Sequence, residues 1–411
     1  MSSYKKTILP SGVTVLSEYI QTALSTVIGF YVNVGSRDER KGGEGLCHFI
    51  EHSVFKGTKN RNEREISTTI ESRGGTMNAS TSREWTSFYA HVLPEELPLA
   101  VDVLSDLIRN PLFNSDAIEM ERLVILEEIK SFYDSPESLL FFYAMGSTFG
   151  KGHPLSSPIL GTPVSVSSIT SNDIKNFWED NYTTDRIFVS AVGKVTHKEL
   201  CNQVSEKLGN RKGRKFKRET SSEKQTRANI IQKNELNHEY VTLSSKCFPY
   251  NNKERFPFLI GLSILGMGMS SKLFQKLRQE MGLVYYVSAF PEFFSDTGIF
   301  YIYLSTDKDK IPKTLKSIIN LLNSLEFTED EVEIAKERIK GNIVISMEDN
   351  AGRMGRNVKE EMYLGQRVPI PELLKRIENV KFDEISNIKE RFFNPEVFSL
   401  TLLGGSKNVS W

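Results

Sequence analysis

Residues 42–58, GGEGLCHFIEHSVFKGT, decide how the rest of the chain is read. A helix over 46–55 sets His48 and His52 on one face, a turn apart, with Glu51 beside them. Two imidazoles at that spacing can grip one Zn²⁺. A carboxylate between them, left out of the coordination sphere, can take a proton from metal-activated water. The order His-x-x-Glu-His is the inverted form of the zinc-protease motif. A helix with two surface histidines and a solvated glutamate carries the same letters, so the motif asks for a third ligand elsewhere.

The helix read over 115–133 supplies one. Ile118, Ile125, Ile129 and Phe132 form its expected buried stripe, and Glu121 and Glu128 lie seven residues apart on the flank. Glu128 is the expected third ligand. Glu121, on the same face two turns earlier, is expected to hydrogen-bond a ligand or a substrate from outside the coordination sphere.

At 411 residues the chain exceeds one compact core. The expected division is an N-terminal metal-binding domain over 1–206, a basic linker over 207–228 and a C-terminal domain over 229–411. Lys and Arg total 52, as do Asp and Glu, so no global field draws the protein to nucleic acid or an anionic membrane. The run Arg211, Lys212, Arg214, Lys215, Lys217 and Arg218 reads as solvated linker, because only Phe216 among it offers a ring for stacking. Three cysteines, Cys47, Cys201 and Cys247, are too few for a disulfide framework and fit a reducing compartment. Cys47, turned about 100° from the adjacent His48 on the helix, reads as a packing residue, and His91, His153, His197 and His238 lack ligand spacing. The N-terminus has no apolar signal region, and the most apolar run, SLLFFYAMG at 138–146, is broken by Ser and Gly. A cytoplasmic protein without membrane or nucleic-acid partners is therefore expected.

Strands are read over 4–18 and 25–35, then a helix over 63–72, a strand through Trp85, Ser87, Tyr89 and His91, and a helix over 95–109. The second half repeats the plan. EYVTLSSKCF and FPFLIGLSIL stand where STVIGFYVNVG and the HFIEH helix stood, and PEFFSDTGIFYIYLSTD stands for STSREWTSFYAHVLPEE. Aligning Glu337-Arg338 with Glu121-Arg122 sets Val344 opposite Glu128, and the equivalent of the motif helix has no histidine. The expected fold is α/β of the α+β kind: two homologous domains, each a mainly antiparallel β-sheet covered by α-helices, of which only the first holds metal.

GLCHFIEHSVFKGTKNR, IESRGGTMNASTSREWTSFYAHVL, ERLVILEEIKSFYDSP, HPLSSPILGT and MSSKLFQKLRQEMGLVYYVSA together resemble the pitrilysin/insulinase family of zinc metallopeptidases. The likeness spans nearly the whole chain and is greatest to the half-length branch that includes the mitochondrial processing peptidase and its bacterial relatives. It implies a zinc endopeptidase with one Zn²⁺ per chain held by His48, His52 and Glu128, and Glu51 as base. Seventy-five residues separate His52 from Glu128, the family spacing, which excludes Glu127. The resemblance also implies that Arg278 and Tyr285 hold the scissile carbonyl oxygen, and that short or unfolded peptides enter extended along a strand near 76–80, touching Asn78 and Ala79. Its four-domain chambers imply a homodimer of this two-domain chain, or a heterodimer with a related subunit. The glycine segment GMGMSS is shorter than the family's glycine-rich loop, while Cys47 and Ser53 replace the usual small and apolar residues. The alternative within the same fold is a non-catalytic core or partner subunit, which needs none of the metal ligands.

Overall fold

The computed structural model describes residues 2–213, 218, 225–407, 409 and 411. Its strands are β1 (Ser2–Ile8), β2 (Thr14–Ile20), β3 (Thr26–Val32), β4 (Thr76–Thr81), β5 (Thr86–Val92), β6 (Ile187–Gly193), β7 (Ala228–Gln232), β8 (Glu239–Cys247), β9 (Tyr286–Phe293), β10 (Gly298–Thr306) and β11 (Ser399–Gly404). Its α-helices are α1 (Leu46–Val54), α2 (Glu63–Glu71), α3 (Leu97–Arg109), α4 (Ser115–Asp134), α5 (Pro136–Phe149), α6 (Pro163–Ser168), α7 (Ser171–Asn181), α8 (His197–Leu208), α9 (Arg255–Gly266), α10 (Ile311–Asn323), α11 (Glu329–Ser346), α12 (Asn350–Leu364), α13 (Ile370–Glu378) and α14 (Phe382–Phe392). None is long and apolar enough to cross a membrane among the described residues.

Two compact units result, and neither is continuous in sequence. The first is Met1–Ser131, Ser157–Glu219 and Ser346–Arg367; the second is Phe132–Ser156, Thr220–Ile345 and Val368–Trp411. In the first, six strands lie in the order β1-β2-β6-β3-β5-β4, antiparallel except for the β2–β6 pair. β3, TVIGFYV, is buried along its whole length at the centre, as its β-branched and aromatic composition requires. The segment read as one strand over 4–18 is a hairpin instead, because Gly12 turns the chain with φ of 98°.

The second unit orders its strands β7-β11-β8-β10-β9, with only the β7–β11 pair parallel. Strand for strand this repeats β2-β6-β3-β5-β4, so the duplication read from sequence is also one of topology. Its core gathers Phe258, Phe300, Phe393 and Phe398 in edge-to-face and tilted ring contacts.

The compact units cut across the boundaries 1–206 and 229–411, because each takes one helix from the other repeat. α5 packs against β8 and β11 of the second unit, where Leu139 and Leu140 meet Tyr303 and Leu403. The apolar run over 138–146 is thus a helix covering a sheet. In the first unit α12 lies on β6 and β3, with Met354 and Val358 against Val27, Tyr31 and Val192. The basic segment is partly tied down. Arg211 stacks on Trp178 at 4.0 Å, and Arg218 bonds Asp38 and Asn33 at 3.0 Å. Arg214, Lys215, Phe216 and Lys217 lie outside the described residues.

A buried acid anchors α12. Glu18 is fully buried and accepts from Arg353 at 2.7 Å and Asn357 at 3.1 Å, with Arg367 also at 3.1 Å. Removing this carboxylate leaves two guanidinium groups without their counter-charge. Glu18→Ala is expected to destabilise the protein by about 3 kcal/mol in urea unfolding.

Candidate metal centre

α1 begins where the chain has little choice. Gly45 has φ of 93°, and a Cβ there would stand 2.7 Å from Leu160 O, so glycine alone fits. Glu39 accepts from the amides of Gly45 at 2.9 Å and Cys47 at 2.6 Å, satisfying donors that a helix N-terminus leaves open, and burial pushes its carboxyl up to about 8. Cys47, Phe49, Ile50 and Val54 are buried with no exposed surface, which turns His48 and His52 toward α4. α4 is docked by Arg122, whose guanidinium lies 5.2 Å from the Phe49 ring centre and donates to Ile169 O at 2.8 Å and to Val166 O. Ile118, Ile125 and Ile129 are buried as expected, whereas Phe132 is half-buried and belongs to the other unit.

Glu128 Oε2 stands 3.5 Å from Nε2 of both His48 and His52. Donors about 2.0–2.1 Å from a tetrahedral ion are about 3.3 Å apart. Two imidazole nitrogens and a carboxylate oxygen at this spacing fit a zinc-like ion, and the three side chains form a group able to hold one. The two rings meet edge to face, their centres 4.5 Å apart.

Outside the donor set, Glu121 is buried and its Oε1 lies 2.7 Å from His52 Nδ1. An ionised Glu121 puts the proton on Nδ1 and leaves the Nε2 lone pair facing Glu128. The second oxygen of Glu121 pairs with Lys56 at 2.7 Å. Glu51 accepts from Thr81 Oγ1 at 2.5 Å, which ties α1 to the last residue of β4. His48 Nδ1 is buried with no hydrogen-bond partner among the described residues, so that ring is held by packing.

Burial, and then the neighbouring His52, push His48 down to about 3, so it is a neutral donor at physiological pH. Burial also disfavours charge on His52, but the hydrogen bond to Glu121 and the charge of Glu128 outweigh it and raise its pKa. Burial raises Glu51 against the opposing hydrogen bond from Thr81. For Glu121 burial works upward, yet His52 and Lys56 together bring it below its ordinary value.

The remaining site residues predicted from sequence fall in two places. Asn78 and Ala79 lie on β4, an edge strand paired only with β5 among the described residues, and Asn78 is exposed. Arg278 and Tyr285 lie in the second unit. Arg278 sits on a π-helix over Phe274–Glu280 that the sequence reading does not contain, and its guanidinium is 5.6 Å from the Tyr285 ring centre. Thr81 and Lys56 are the polar partners the sequence reading missed. Strand alternation in TMNAST could have flagged Thr81, since Met77, Ala79 and Thr81 share one face. The other histidines serve structure. His153 stacks on Phe149 with ring centres 4.9 Å apart, and His197 lies 2.8 Å from both Thr7 Oγ1 and Ser17 Oγ.

Comparison with known proteins agrees with this geometry. Residues 14–163 match the insulinase family, peptidase family M16, and residues 168–339 match the peptidase M16 inactive domain. The chain belongs to the insulinase family. It is 33% identical to an uncharacterized zinc protease of Mycobacterium tuberculosis, covering 98% of this chain and 94% of that one. It is 31% identical to the uncharacterized zinc protease YmxG of Bacillus subtilis, covering 97% and 98%. A crystal structure of a protease from Helicobacter pylori shares the fold with a TM-score of 0.88 at 20% identity, over 98% of this chain and 99% of that one.

The donor set makes a stoichiometric expectation. The chain should take up about one equivalent of divalent metal, and His48→Ala and Glu128→Ala should each abolish tight uptake, as read by elemental mass spectrometry after gel filtration.

Proposed function

We propose that this protein is a zinc-dependent endopeptidase acting on short or unfolded peptides. The observation that carries the reading is the pairing of the three-donor group with Glu51, a carboxylate beside it but outside it, which Thr81 ties to an open edge strand. Zinc bound by His48, His52 and Glu128 would polarise a peptide carbonyl and acidify water. Glu51 takes the water proton and returns it to the leaving amine, and Thr81 holds the carboxylate in position through its hydroxyl. Glu121 keeps His52 in the donor tautomer.

A substrate strand lies along β4, pairing with its free backbone groups near Asn78 and Ala79. Backbone pairing of this kind tolerates many sequences and requires an extended chain, which excludes stably folded proteins. Arg278 and Tyr285 hold the carbonyl oxygen as charge develops on it. A homodimer belongs to the same proposal: light scattering should give twice the chain mass of 46.7 kDa.

Glu51→Gln removes the base and leaves every donor atom. The variant should keep its metal and lose about 10²–10⁴-fold in kcat on an unstructured peptide pool whose cuts are mapped by mass spectrometry. In the wild type a chelator should stop cleavage and zinc restore it. Hydrolysis that survives Glu51→Gln sinks the assignment of the base, and a metal-loaded protein that cuts nothing in the pool favours a non-catalytic subunit of the same fold.

A further inference from the structure

Glu121 is a buried carboxylate with both oxygens engaged, Oε1 by His52 Nδ1 and Oε2 by Lys56 Nζ, each at 2.7 Å. Lys56 stands just past the end of α1, where its amide donates to Ser53 O at 3.1 Å. Its ammonium also reaches Glu63 Oε1, on the first residue of α2, at 2.8 Å. One side chain therefore links α1, α2 and α4 at the rim of the donor group.

We infer that Lys56 is a positioning residue of the metal centre, acting through Glu121 on His52; the inference rests on the zinc reading given above. With the ammonium in place the Glu121 carboxylate cannot turn, and the His52 ring is held with Nε2 toward Glu128. Without it, Oε2 is left buried and unpaired. Such a carboxylate escapes by rotating outward, and that loosens its hold on the ring. The link to Glu63, whose side chain is 62% exposed, is a surface pair and contributes little.

A bare cation beside the centre would do the reverse. It repels a divalent ion, so its removal would tighten binding. The positioning role and the charge role thus predict opposite signs for one substitution.

The test is zinc affinity of the full chain, measured by competition with a chromophoric chelator. Lys56→Met should weaken zinc binding about tenfold, the lower end for loss of an outer partner of a metal ligand. Lys56→Arg, which keeps the charge and the reach, should stay close to wild type. In a Glu121→Gln background Lys56→Met should change nothing further, because the residue it acts through is gone. Metal-free Lys56→Met should still unfold in one cooperative transition, which separates a loss of zinc affinity from a loss of the fold. Unchanged or tighter binding by Lys56→Met overturns the inference, as does a tenfold loss that persists with Glu121→Gln or that Lys56→Arg shares. A wild-type chain that binds no zinc overturns the metal reading and this inference with it, whereas zinc uptake indifferent to Lys56 overturns the inference alone.

Discussion

Three carboxylates, Glu51, Glu121 and Glu128, converge on two imidazoles with one ammonium beside them, and this crowding of like charge constrains the first unit. Carboxylates a few ångströms apart cannot all stay ionised in a partly buried place unless cations or donors answer them. Lys56 and His52 answer Glu121, and the Thr81 hydroxyl answers Glu51. Glu128 stands 3.5 Å from both histidines, and one of these is held neutral by burial. The remaining demand is for a cation at the point where the three donors meet. The two helices that carry the donors are fixed by contacts independent of the centre: Glu39 on the first amides of α1, and Arg122 between α4, Phe49 and the α6 segment.

Duplication shows what the fold requires and what it merely permits. Five strands recur in the same order in both units, yet α9, the counterpart of α1, is buried on nearly every residue and offers no ligand. Val344 stands where Glu128 stands in the first repeat and is 47% exposed, so α11 tolerates an apolar group at a position that α4 gives to an acid. Sheet and helix cover thus recur without the donor residues, which belong to one copy. The exchange of α5 and α12 between units works differently. Each sheet carries helices of its own repeat and one from the other, α5 on the second sheet and α12 on the first.

Much of this was legible in the sequence because periodicity reports local geometry. The histidine spacing, the stripe on α4 and the alternation in β5 each involve residues a turn or a strand apart, and the structure places them as read except for Phe132, which leaves the stripe. The second topology was legible too, through the matching of segments between halves. Long-range facts were not. SLLFFYAMG is apolar on nearly all sides, so its pattern could not say which sheet it covers. The first hairpin was merged although residues 9–13, with Pro10 and Gly12, separate its arms, because the turn is short between two extended segments. The π-helix at Phe274–Glu280 repeats no period that an α-helical reading detects. Lys56 was invisible for the plainest reason: a lysine near a helix end looks solvated until the carboxylate of Glu121, 65 residues later, is brought against it.

β4 completes the physical case. Edge strands invite pairing with other chains, and proteins commonly blunt them with lysine, proline or a bulge. Thr76–Thr81, TMNAST, has none of these; only Asn78 covers a backbone donor, that of Ala79, at 2.8 Å. Apart from Met77 its side chains are short, and none is charged. The strand ends on Thr81, whose hydroxyl touches the carboxylate beside the donor group. An unguarded edge is a liability anywhere else on the molecule. Here the unguarded edge ends beside Glu51, next to two histidines and an acid able to hold a metal ion.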